Sequence, residues 1–106
     1  MLIAMDAGLP EPLAHDALMR LLQVARSDTG QSRRVADFLL SWWNAENCGG
    51  FDLSDLWAVD EALGEDMVTV AGFIVRHRSY PSSYGLSKEF GDILALWRPH
   101  LTASTT

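Results

Sequence analysis

The chain has 106 residues, close to half of them apolar, and a formal charge of −6. That length is one domain with enough chain to bury a core, and that charge disfavours unspecific binding to DNA or to anionic membranes, whose phosphates repel it. No apolar run approaches the ~20 residues that cross a bilayer. Met1–Met5 lacks the basic residue that opens a signal peptide, and the single cysteine, Cys48, leaves no internal disulfide, so cytoplasmic residence is the expectation.

Hydrophobic periodicity predicts an all-α domain, a compact bundle of about five helices over residues 10–100, with loose ends at 1–9 and 102–106. The first helix runs from about Pro10 to Arg26, with proline in its first turn and a stripe of Ala14, Leu18, Leu21 and Ala25. The second runs from about Thr29 to Asn47. Asp28 and Gln31 have capping-box spacing, and Gly49 and Gly50 end the helix. Its apolar arc, from Val35 to Ala45, covers more than half the circumference, which makes it a central helix. The third runs from about Leu53 to Leu63, capped by Asp52 and stopped by Gly64. The fourth, from about Glu65 to Arg78, starts with two acids and ends with Arg76, His77 and Arg78, the polarity a helix dipole prefers. It too is expected to be central. After a loop at Ser79–Gly85, the fifth runs from about Ser87 to Arg98 and stops at Pro99.

Charge is distributed unevenly along this pattern. No Lys or Arg occurs from Val35 to Val75, yet that stretch holds Asp37, Glu46, Asp52, Asp55, Asp60, Glu61, Glu65 and Asp66, together with Trp42, Trp43 and Trp57. An acidic and aromatic middle suits a protein partner with a basic surface. Asp52, Asp55, Glu65 and Asp66 are explained as caps and first-turn charges. Asp37 and Glu61 are expected to face solvent. Glu46 and Asp60 project into apolar arcs on the helical wheel, where a carboxylate must be paired, hydrogen-bonded or protonated. Trp43 and Trp57 are open to two readings, core packing or a hot spot in an interface. Arg33 and Arg34, and separately Arg76 and Arg78 beside His77, Tyr80 and Tyr84, are candidates for small basic patches.

Dedicated chemistry is harder to find. The acids lack the alternate spacing and sixth-position glycine of a calcium loop. One cysteine makes no zinc site, and Cys48 lies at a helix C-terminus, the wrong end for an activated thiol. No phosphate loop or dinucleotide fingerprint is present. No catalytic residue, metal or cofactor is therefore predicted.

The segments TGQSRRVADFLLSWWNAENCGGFDLSDLW (Thr29–Trp57), VDEALGEDM (Val59–Met67) and YPSSYG (Tyr80–Gly85) resemble a family of small proteobacterial proteins of no established activity. Members are often encoded on integrative or plasmid elements. The resemblance implies an accessory protein of a mobile element and carries over no functional residue. The leading expectation is a non-enzymatic acidic interaction protein, with an anti-CRISPR-like inhibitor as a concrete form. A regulator within a DNA-bound complex, and a small enzyme or metal protein using Glu46, Asp60 or His77, are the alternatives. The wide apolar arcs also allow a homodimer.

Overall fold

The computed structural model describes residues 8–103. Among them are five α-helices: α1 (Pro12–Ala25), α2 (Gly30–Cys48), α3 (Glu61–His77), α4 (Ser87–Trp97) and α5 (Pro99–Ala103). Two 3₁₀ turns, at Leu53–Trp57 and Pro81–Tyr84, complete the described chain, which has no strand. The all-α class and the bundle architecture are as expected. The helices are divided differently, and the reasons are local.

α1 is the most central helix, packing on α2, on α3 and at one end on α4. α2 is packed on two sides as expected, on α1 and on α4, while α3, the fourth predicted helix, packs chiefly on α1. Ala14, Ala17 and Ala25 are buried beside Leu18, Leu21 and Leu22, and these small side chains let two neighbours approach closely. The apolar arcs of the other two helices overstate their burial. On α3, Val68 and Val75 are exposed, and on α2, Ala45 is exposed. Fully buried Leu39, Leu40, Phe73, Phe90 and Ile93 meet α1's leucines in one core. Each such side chain contributes roughly 1.5–3 kcal/mol of burial free energy.

α1 and α3 run antiparallel, as two ion pairs at opposite ends show. Arg20 donates from Nε and Nη2 to the two oxygens of Asp66, both at 2.9 Å. Glu11, at the start of α1, accepts from Arg76 and contacts His77 at the end of α3. Asp66 is thus no first-turn charge. It is 9% exposed and lies on the buried face of α3.

α2 is capped by Thr29 rather than Asp28. The Thr29 hydroxyl accepts from the Ser32 amide at 3.0 Å, and Gly49 ends the helix at φ +97°, a conformation that strains any other residue. The helix is interrupted at Asn44 (φ −162°, ψ 78°), whose side-chain oxygen accepts from the Asn47 amide and starts a new turn.

The predicted third helix is only the 3₁₀ turn at Leu53–Trp57, capped by Asp52 as expected: its carboxylate accepts from the Ser54 amide at 2.9 Å. Gly64 does not end a helix. It lies inside α3, where a Cβ would stand 2.8 Å from the Leu56 carbonyl oxygen. The glycine is required by the close approach of the 3₁₀ turn, and α3 therefore begins earlier, at Glu61. Ser87 begins α4 within the helix and gives no cap; Leu86 stands in the cap position. α4 stops at Trp97, and Pro99 opens α5 as a first-turn proline.

Of the loose ends expected at 1–9 and 102–106, residues 1–7 and 104–106 lie outside the described residues, and 102–103 belong to α5. Gly8 and Leu9 are held: the Gly8 amide donates to the Tyr84 carbonyl at 3.0 Å, the Leu9 amide donates to His15 Nδ1, and Leu9 is buried.

Candidate functional site

The 3₁₀ turn pressed on Gly64 presents two of its side chains outward, Leu53 and Trp57, while Leu56 packs on the core. Trp57 is 81% exposed and Leu53 72% exposed, and on α3 Val68 is 60% exposed. Between the turn and α3 lies an open cavity of about 330 Å³, lined by Leu56, Trp57, Val59, Gly64, Glu65 and Val68, with Glu61 at its edge. Glu61 and Glu65 are exposed and, among the described residues, carry no ion pair. Asp52 stands at the start of the turn, its carboxyl held below the usual range by hydrogen bonds from the Ser54 amide and hydroxyl. An apolar groove with an acidic rim results. It can accept an aliphatic or aromatic anchor and, around it, cationic side chains.

Of the six acidic and aromatic candidates, only Trp57 and Glu61 line this groove, and Asp60 turns to Gln31 instead. Asp60 is not inside an apolar face. Because the chain breaks before α3, it occupies the exposed cap position. Its amide donates to Gln31 Oε1, and its carboxylate accepts from Gln31 Nε2 at 3.3 Å. Glu46 is also exposed, since the break at Asn44 shifts the helical phase that placed it among Val35, Leu39 and Trp42. Glu46 and Trp43 share a different cleft. Trp43 is half-buried, edge-on to Phe90 at 6.0 Å between ring centroids.

Asp37 belongs to neither place. Rather than facing solvent, it is held between Arg33 at 2.8 Å and Arg98 at 2.7 Å. Arg98 also donates to the Cys48 carbonyl at 3.0 Å, so a single guanidinium ties the end of α4 to both halves of α2. Periodicity carries no signal for that clamp, nor for Gln31 beneath Asp60.

The basic candidates are dispersed and mostly occupied. Arg33 pairs with Asp37, Arg34 with Asp55 at 3.2 Å, and Arg76 with Glu11. Arg78 is exposed at the end of α3, at φ 55°. Hydrogen bonds from Arg76 and then from His77 hold the Glu11 carboxyl at about 2, well below its ordinary 4.5. His77 is stacked on Phe73, with centroids 4.2 Å apart, so this cluster locks α1 to α3. Burial pushes the Cys48 thiol up, which makes it a poor nucleophile. Among the described residues, no three His, Cys, Asp or Glu side chains are placed to share a metal ion, and no helix is long and apolar enough to cross a membrane.

The model of one protein family, described as a family of unknown function (DUF7673), matches residues 15–98. No curated protein and no solved structure matches the chain.

Proposed function

The chain belongs to that family, and we propose that it acts without catalysis, as a small acidic interaction protein whose Trp57 face docks a protein partner with a basic surface. One observation carries the reading: a tryptophan 81% exposed on a turn seated against backbone, beside an apolar groove ringed by acids. A large aromatic side chain left in water on a fixed support has no role in this core. In interfaces, the same residue type is enriched among the side chains that carry most binding energy. The unpaired Glu61 and Glu65 favour cationic partners and speed their encounter.

The cellular setting we propose is a mobile element of a bacterium, with inhibition of a host defence in the anti-CRISPR-like manner as its concrete form. The support for that setting is the sequence resemblance. The alternative of a regulator in a DNA-bound complex draws less support, because internal ion pairs occupy Arg33, Arg34 and Arg76. Affinity capture from the source cells tests the proposal. The wild type should retain a specific basic protein, Trp57→Ala should lose it with the fold intact, and Glu61→Lys with Glu65→Lys should weaken it in a salt-dependent way. Equal capture by Trp57→Ala would refute the docking face.

A further inference from the structure

A second cleft, separate from the Trp57 groove, opens where α2 breaks. It has a volume of about 470 Å³ and is lined by Trp42, Trp43, Asn44, Glu46, Tyr80 and Ser41 among others. That volume suits a small ligand. The walls are fixed from behind. The Trp42 indole N–H donates to the Ser79 carbonyl at 2.9 Å, and both indoles make T-shaped contacts with Phe90, at 5.8 and 6.0 Å between centroids. The bond to Ser79 also holds the next residue, Tyr80, at the cleft, where it is 63% exposed. Glu46 completes the lining. It is exposed, and among the described residues it forms no ion pair and no hydrogen bond. No Lys, Arg or His lines the cleft.

We infer that this cleft binds a weakly hydrated organic cation, a quaternary ammonium group held by the faces of Trp42, Trp43 and Tyr80 and neutralised by Glu46. Aromatic faces attract a cation through their quadrupole, and tryptophan does so best. The carboxylate adds an opposite charge where no side chain answers it. An anion is repelled by Glu46, and a neutral ligand gains nothing from it. A primary ammonium keeps its water strongly, whereas a trimethylammonium group gives up little hydration on contact with indole.

Two-dimensional NMR titration with choline tests this, following the indole N–H signals of Trp42 and Trp43. Choline should shift both saturably, and sodium at equal ionic strength should not. The neutral isostere 3,3-dimethyl-1-butanol and the primary amine n-butylammonium should each bind roughly tenfold more weakly or less. Glu46→Gln and Tyr80→Ala, both on exposed side chains, should weaken choline by about the same factor while leaving the melting curve unchanged. Absence of a saturable shift, equal binding of the isostere or the primary amine, or an unchanged affinity in Glu46→Gln would each overturn the inference. A peptide bearing trimethyl-lysine supplies the second source of the same group. Tighter binding than choline supports a methylated protein side chain, and weaker binding supports a free small cation.

Discussion

Replacing Gly64 with alanine tests the seat of the Trp57 turn directly. In an exposed helix interior that change stabilises by about 1 kcal/mol, since alanine has the better helix propensity. At Gly64 the added Cβ would meet the Leu56 carbonyl oxygen at 2.8 Å, too close for contact and against backbone that cannot swing aside. Overpacking of this kind costs roughly 1–3 kcal/mol. The two effects oppose each other, and the net outcome expected is a loss of about 1 kcal/mol. Gly91 in α4 is the internal control, because a Cβ there has no neighbour within 4 Å. Gly91→Ala should therefore stabilise by about 1 kcal/mol, giving a spread of about 2 kcal/mol between two identical changes. Since about 1 kcal/mol moves Tm by roughly 4–8 °C in a domain of this size, far-UV circular dichroism melts resolve it. Should Gly64→Ala melt at or above the wild type, the turn is not seated on Gly64 and Trp57 is not fixed by it.

Three more outcomes are expected. Folding stability should fall as pH drops from about 4.5 to about 2. The Glu11 carboxyl is depressed in the folded state, so its contribution is complete above its unfolded value and disappears as it is protonated. Glu11→Gln should flatten that part of a stability-versus-pH curve, and an unchanged curve would remove Glu11 from the account. Arg98→Ala should cost about 2 kcal/mol or more in urea unfolding, because it strips Asp37 and the Cys48 carbonyl of a shared donor; a loss under ~0.5 kcal/mol, as for an ordinary surface change, would show that the clamp is ornamental. Acrylamide should quench one tryptophan component readily, and Trp57→Phe should remove it, since Trp42, Trp43 and Trp97 are all partly buried and packed on the core. Persistence of the easily quenched component in that variant would place another indole in water.

What could be read from the sequence was whatever repeats at short range. The stripes of α1 and α4 and the Gly49 stop of α2 follow from local spacing and glycine geometry. The wheel positions of Glu46 and Asp60 depended on helices that continue without interruption. A break at Asn44 and another at Ala58–Asp60 put both carboxylates into water. Gly64 was legible as special but not in which way: a helix stop and a close backbone approach demand the same residue. The pairs Arg98–Asp37, Arg20–Asp66 and Arg76–Glu11 join residues 61, 46 and 65 positions apart, and no periodicity records such distances. For Trp57 the sequence favoured core packing, and the truncation of its helix to a 3₁₀ turn puts it in water instead.

The seating of the Leu53–Trp57 turn separates what the domain presents from what holds it up. The support is the Leu56 backbone against Gly64, the Leu56 side chain on the core and the Arg34–Asp55 ion pair, whereas the side chains of Leu53 and Trp57 lie mostly in water. Substitution at those two positions is therefore expected to change the proposed docking face while leaving folding almost untouched. A lineage could change partners there without first acquiring compensating core mutations, and a library randomised at those positions would retain a folded scaffold in most of its members.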